Sequence, residues 1–359
     1  LDKKTPFYSF HKKCHAKLVS FAGYTMPIQY KGVNFEHNHV REHVGVFDVS
    51  HMAQILIKGE RAFDLIQKIT TNELSKLIDG KIQYSCMLNP KGGIIDDLLV
   101  YRFDLNSYML VVNAANTDKD LHWINNCNDM GVDVVNITSE RGLLAIQGPK
   151  TNSLLQKLTD VDLSSIPYYS FKVGKIANCN NVIISNTGYT GSGGFELYVD
   201  KDQASTLWEN LFSENDLIEP IGLAARDTLR LEMGYCLYGN DIDETRTPVE
   251  AGLSWIVSRK KIFIGSDIVN KQISNGYEQC LVGFVLTERG IPRKGYKIFN
   301  HKNTVIGEVT SGSMSPFLKT GFGMGYVHKN ESIIDAIVFI GIRDKQVSAK
   351  IVKPPFYEK

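Results

Sequence analysis

Between Leu281 and Val352 the chain holds six short runs with strand character and no convincing helix between them. They are Leu281–Leu286, Tyr296–Phe299, Thr304–Thr310, Gly323–Val327, Ile337–Ile342 and Gln346–Val352. Turn residues separate the runs, and about 80 residues of all-β pattern suggest a small barrel. Ahead of it the composition shifts to a polar stretch, 256–279, with Lys260, Lys261, Lys271 and the turn-like Ser274-Asn275-Gly276. That stretch is expected to be a linker.

The part before the linker reads differently. Apolar residues recur at helical spacing in Ala62, Phe63, Leu65, Ile66 and Ile69, in Leu154, Leu155 and Leu158, and in Leu207, Trp208, Leu211 and Phe212. Strand-like runs lie between them, among them Gln54–Lys58, Gly93–Tyr101, Ser107–Asn113, Gly142–Ile146, Asn181–Ser185 and Gly194–Val199. The pattern is mixed α and β. No GxGxxG or GxxxxGK[ST] follows a strand, so dinucleotide-binding and P-loop folds lose their main support. With 359 residues, the length prior is two to three domains at roughly 150 residues each.

Forty Lys plus Arg against 39 Asp plus Glu leave a net charge of +1, too balanced for a binder of phosphate backbones. The six cysteines, Cys14, Cys86, Cys127, Cys179, Cys236 and Cys280, form no CxxC or similar pair. Scattered thiols of this kind fit a reducing compartment and seed no zinc or iron–sulfur site. No apolar run approaches the ~18 residues that span a bilayer, and the first residues lead into polar Ser9–His15 with no apolar signal core. A cytoplasmic location is expected.

Four segments carry candidate chemistry. His39-Val40-Arg41-Glu42-His43 fits the HxxEH pattern of one zinc peptidase class, although a helix face rich in His, Glu and Arg explains it without metal. In Ile94-Ile95-Asp96-Asp97-Leu98-Leu99-Val100-Tyr101 two carboxylates interrupt an apolar strand. Alternation sends Asp97 to the face of Ile95, Leu99 and Tyr101, and Asp96 to that of Ile94, Leu98 and Val100. A carboxylate on a half-buried face is costly unless it is paired or used. Thr187-Gly188-Tyr189-Thr190-Gly191-Ser192-Gly193-Gly194 joins a glycine-rich turn to a strand carrying Glu196, a loop able to wall a ligand cavity. In Gly222–Glu232, Arg226 and Arg230 fall four apart on a helix, where Asp227 and Glu232 could neutralise them in an ordinary surface network.

Taken with Phe21-Ala22-Gly23-Tyr24-Thr25-Met26-Pro27, Gly45-Val46-Phe47-Asp48-Val49-Ser50-His51-Met52, Gln147-Gly148-Pro149, Gly307-Glu308-Val309-Thr310-Ser311-Gly312 and Pro354-Pro355-Phe356-Tyr357, the last three of those four candidate segments resemble the glycine cleavage T-protein family of folate-binding aminomethyltransferases. The order and spacing match along essentially the whole chain. The resemblance implies an α+β protein of three domains in a cloverleaf-like ring. It places a discontinuous first domain at 1–51 with 140–255, an inserted second domain at 52–139, and a C-terminal antiparallel β-barrel at 280–359.

The same resemblance implies the reaction. The aminomethyl group on the dihydrolipoyl arm of lipoylated H-protein gives its carbon to tetrahydrofolate, with release of ammonia. Tetrahydrofolate is then a co-substrate, and no metal or pyridoxal phosphate is called for. The carbon already sits between nitrogen and sulfur, so loss of ammonia makes it electrophilic and the protein mainly orients groups and manages charge. Residue by residue, Asp97 corresponds to the family's functional aspartate, and Glu196 and Arg226 to its pterin-binding pair. Met52, Tyr84, Tyr101, Asn113, Tyr189, Trp255 and Tyr357 fall near the folate, and Arg293 near the mouth of its cavity, toward the lipoyl arm. The region Gly234-Tyr235-Cys236-Leu237-Tyr238-Gly239 lacks the KGCYxGQE signature of the iron–sulfur assembly relative. Tetrahydrofolate-dependent demethylases and non-catalytic folate binders share the fold and stay as alternatives.

Overall fold

The computed structural model describes residues 2–213 and 217–357. The chain divides into two compact units, one of Leu1–Gln67, Leu74–Tyr84 and Leu98–Asp227, the other of Lys68–Glu73, Ser85–Asp97 and Thr228–Lys359.

The first unit is built on a six-stranded sheet in the order Phe171–Ile176, Cys179–Ser185, Gly194–Asp200, Arg141–Gln147, Val44–Asp48, Ile218–Pro220. All pairings are antiparallel except the last, which runs parallel to Val44–Asp48. Alternation decides the core. Val182 and Ile184, Phe195, Leu197 and Val199, Leu144 and Ile146, and Val44 and Val46 all belong to one buried cluster. Helix Ala204–Ser213 adds Leu207, Trp208 and Leu211 to it, and Phe10 stacks on Trp208 at 5.3 Å between ring centroids. Each such buried side chain contributes about 1.5–3 kcal/mol.

A five-stranded sheet runs Ile82–Leu88, Ile94–Asp104, Ser107–Val112, Ala53–Lys58, Asp133–Asn136. The division between the units falls inside its first two strands.

The second unit carries a closed barrel of six strands, Gln279–Leu286, Gly321–His328, Val305–Met314, Lys297–Phe299, Ile337–Ile342 and Lys345–Val352, the last pairing back onto the first. These are the six runs read from the sequence, each within a few residues of its expected ends; the last residues of the expected segment, 358–359, lie outside the described residues. Val282, Phe284, Leu286, Ile298, Val309, Ile340 and Ile351 fill the barrel.

The 256–279 segment differs from a plain linker. It contains the helix Ser266–Asn275, bounded by Gly265 and Gly276 at positive φ, with Val269 buried. Ile268, Val269 and Ile273 supply its apolar positions, diluted among polar residues. Among the described residues, no helix is long and apolar enough to cross a membrane.

Candidate functional site

In strand Gly194–Asp200 the core takes Phe195, Leu197 and Val199, which sends Glu196 and Tyr198 to the opposite face. Ser185 lies directly across from Glu196 in the neighbouring strand. A chain of hydroxyls links these groups. Thr187 Oγ1 donates to Glu196 Oε2 at 2.5 Å, and its oxygen is 2.8 Å from Ser185 Oγ. Ser185 Oγ is 2.9 Å from the Tyr101 hydroxyl, itself 2.8 Å from the Tyr198 hydroxyl. Burial pushes the Glu196 carboxyl above the usual carboxylate range, against the pull of the Thr187 bond and the Arg226 charge.

The glycine-rich loop is held on both sides. Arg41 Nη1 donates to Thr190 O at 2.5 Å and Ser192 Oγ at 2.9 Å. Gln147, buried, accepts from Thr190 Oγ1 at 2.9 Å and donates to Thr187 O at 3.1 Å. A Cβ on Gly188 would stand 1.9 Å from Gln147 Oε1, so any other residue would displace the amide that holds the loop. The loop presents Tyr189, whose ring lies 4.6 Å beneath the Arg226 guanidinium.

Arg226 rides on helix Leu223–Glu232. Buried Glu36 seats the start of that helix: Oε2 accepts from Gly222 N at 2.7 Å, while Oε1 accepts from the backbone N–H groups of Tyr30, Lys31 and Gly32. Glu36→Gln would turn an amide N–H2 against one of these donors. The expected loss is about 2 kcal/mol of unfolding free energy, read from urea melts. Beside Arg226, His51 is buried, edge-on to Phe21 at 5.5 Å. Burial and the Arg226 charge push its pKa down to about 3, against the charge of Asp48. Its Nδ1 is buried with no hydrogen-bond partner among the described residues.

In the second unit, Asp97 is fixed by the segment before it. Ile94 N–H donates to Asp243 O at 3.1 Å and Arg246 O at 2.9 Å, and the Tyr238 hydroxyl donates to Ile94 O. A Cβ on Gly93 would lie 1.8 Å from Glu244 O, so the strand can rest on this loop only through a glycine. Asp96 is fully buried and Asp97 half-buried, on opposite faces as alternation requires. Buried Cys86 and Cys236 face this carboxylate. Desolvation first, and then nearby charge including that of Asp97, pushes both thiols well above their usual range, so they stay protonated.

With the geometry in view, comparison with known proteins is direct. Residues 7–261 match the GCVT N-terminal domain, and residues 279–358 match the glycine cleavage T-protein C-terminal barrel domain. The chain belongs to the glycine cleavage T-protein family. It is 53% identical over 359 residues to the aminomethyltransferase of Flavobacterium psychrophilum, covering 99% of this chain and 100% of that one. It is 51% identical over 358 residues to the aminomethyltransferase of Bacteroides thetaiotaomicron, covering 99% of both. The crystal structure of glycine cleavage system aminomethyltransferase T from Bartonella henselae is similar at a TM-score of 0.93 and 34% identity, over 99% of this chain and 98% of that one.

Within this T-protein family member, the first unit brings Tyr101, Tyr189, Glu196 and Arg226 into one network, and also carries Met52, Tyr84 and Asn113, each half-buried. Met52 closes the turn after Val44–Asp48 through its N–H to Val49 O, and Asn113 follows strand Ser107–Val112. Tyr101 is fully buried with its hydroxyl bonded to Ser185 and Tyr198, so its link to Glu196 runs through other side chains. Asp97, Trp255, Arg293 and Tyr357 belong to the second unit. Trp255 is 68% exposed, and Arg293 is exposed and donates to Gly312 O. Tyr357 is edge-on to Phe317 at 4.8 Å, and its N–H donates to Glu232 O. The C-terminal residues up to it are therefore packed against the unit.

One sequence reading is corrected. Arg230 is no surface charge: it is 1% exposed and pairs with buried Asp241 at 2.8 Å and with Ser311. Glu232 is buried as well and accepts from Ser315 Oγ. In the HxxEH segment, His39 bonds Leu217 O and His43 accepts from Lys150, while Arg41 points to the glycine-rich loop. Among the described residues, no group of three or more His, Cys, Asp or Glu side chains is arranged to hold a metal ion. Sequence reasoning misses His51, Ser185 and Thr187, because none of them interrupts an apolar run as Asp96 and Asp97 do.

Proposed function

We propose that the chain transfers the methylene carbon of an aminomethyl group, carried on the dihydrolipoyl arm of lipoylated H-protein, to tetrahydrofolate. The overall change balances without an oxidant. The carbon's bonds to nitrogen and sulfur break, and two bonds form to folate N5 and N10. The two N–H protons of the folate leave with the ammonia nitrogen and the lipoyl sulfur. The observation that carries this reading is the full-length family match joined to the Glu196, Tyr189 and Arg226 arrangement. An acceptor-only carboxylate suits the paired N–H edge of a pterin, a guanidinium suits a ring acceptor, and the tyrosine ring stacks.

In this reading Asp97 stabilises positive charge that develops as ammonia departs and accepts a proton from a folate nitrogen. Met52, Tyr84, Tyr101, Asn113, Trp255 and Tyr357 complete the folate contacts, directly or through a neighbour. Arg293 serves the lipoyl arm at the mouth of the cavity.

The test is ammonia release from aminomethylated H-protein on addition of tetrahydrofolate. A demethylase would give none with this substrate. Arg226→Gln is expected to weaken tetrahydrofolate binding by about tenfold to a hundredfold, the size of one or two charge-assisted hydrogen bonds. Unchanged binding by titration calorimetry would remove Arg226 from the site.

A further inference from the structure

We propose that Tyr198, Tyr101, Ser185 and Thr187 form a one-way donor chain that commits Glu196 to accept hydrogen bonds at its free edge, and so selects ligands offering two adjacent N–H donors. The inference rests on Glu196 holding the pterin edge, and it assigns positioning roles to residues that touch no ligand.

The direction of the chain follows from counting protons. Each hydroxyl has one proton to give. An ionised Glu196 can only accept, so Thr187 must donate to it. Thr187 must then accept from Ser185, Ser185 from Tyr101, and Tyr101 from Tyr198. Each step has a single solution.

Reversal is unfavourable at the far end. If Glu196 carried a proton on Oε2, every bond would flip and the Tyr198 proton would have to point away from Tyr101, while a proton on Oε1 would leave Thr187 donating to a neutral carboxyl oxygen, a weaker acceptor than a carboxylate. Tyr198 is fully buried, and Tyr101 is its hydrogen-bond partner. A buried O–H without an acceptor costs more than an oxygen lone pair left without a donor. The fully buried terminal phenol therefore acts as a stop. Because Ser185, Tyr101 and Tyr198 are all fully buried and Thr187 nearly so, water does not readily supply the missing acceptor.

The charged and titratable groups acting on Glu196 are Arg226, which favours its ionised form, and the Tyr101 and Tyr198 phenols, both held above their usual range chiefly by burial. His51, lowered by burial and by the Arg226 charge, stays neutral near pH 7. Burial opposes ionisation of Glu196, and the donor chain opposes burial.

The test measures the affinity of 5-formyltetrahydrofolate from pH 5 to 8.5 by fluorescence titration; its acylated N5 does not titrate in that range. In wild type, affinity falls on the acidic side as Glu196 takes up a proton. Thr187→Val and Ser185→Ala are expected to move the midpoint of that fall upward by about one pH unit, giving about fivefold weaker binding at the wild-type midpoint and binding within about threefold of wild type at pH 8.5. Thr187→Ser, which keeps the hydroxyl, restores the wild-type midpoint.

Equal loss at every pH in Thr187→Val and Ser185→Ala would show a packing role and overturn the chain. So would an unmoved midpoint in both variants when Glu196→Gln is impaired. Glu196→Gln binding as tightly as wild type would instead remove Glu196 from the pterin site and the inference with it.

Discussion

Asp97→Asn is expected to bind tetrahydrofolate within about twofold of wild type while turnover falls by about 10²–10⁴, the range a positioned acid–base group supplies. The exchange keeps shape and volume and removes charge and basicity. The strand stays seated because Gly93 and the Ile94 hydrogen bonds to Asp243 and Arg246 hold it through the backbone. The flanking Cys86 and Cys236 thiols, held protonated, cannot substitute as bases near neutral pH. Single-turnover release of ammonia at saturating tetrahydrofolate isolates the chemical step from binding. If the variant turns over at the wild-type rate, Asp97 has no part in moving charge or protons.

Asp48→Ala is expected to lower the unfolding free energy by about 3–5 kcal/mol, the cost of leaving one partner of a buried pair alone. Asp48 Oδ2 is 2.7 Å from His11 Nε2 and accepts from Thr5 Oγ1 at 2.5 Å; Oδ1 accepts from Ser50 N and Oγ at 2.9 and 2.6 Å. The Tyr30 hydroxyl meets His11 Nδ1 at 2.8 Å. Both members of the pair are fully enclosed. Set against a typical stability of about 5–15 kcal/mol, this is a large fraction.

The pH dependence has a definite sign. Burial raises the Asp48 carboxyl, but the His11, Ser50 and Thr5 bonds outweigh it and hold it below the usual carboxylate range. Folding stability from this group is thus present above its unfolded pKa and is lost as pH falls through the depressed folded value. Urea melts at a series of acidic pH values should show that loss in wild type and not in Asp48→Ala. Equal acid limbs in the two proteins would mean the pair contributes nothing through ionisation.

The barrel's strands were legible as short apolar runs set between turn residues, but their order was not: Gln279–Leu286 pairs with Gly321–His328 and Lys345–Val352, both far along the chain. The helix Ser266–Asn275 was not, since a single fully apolar buried position, Val269, is a weak signal among lysines and asparagines. The faces of Asp96 and Asp97 followed from alternation alone. What the sequence could not supply was the partners. Tyr101 meets Ser185 and Tyr198 across 84 and 97 residues, and Arg41 reaches Thr190 across 149. Such contacts depend on strand order and loop path, and no local pattern encodes either. For the same reason Arg230 read as a surface charge: its carboxylate, Asp241, lies outside the helix.

The double anchoring of the glycine-rich loop bears on when conformational freedom is lost. Fixing a residue's backbone costs about 1–2 kcal/mol, and glycines have the most freedom to lose. With Arg41 and Gln147 gripping Thr187, Thr190 and Ser192, that entropy is surrendered during folding. Binding then begins with Tyr189 already beneath Arg226, and little further disorder is removed when a ligand arrives.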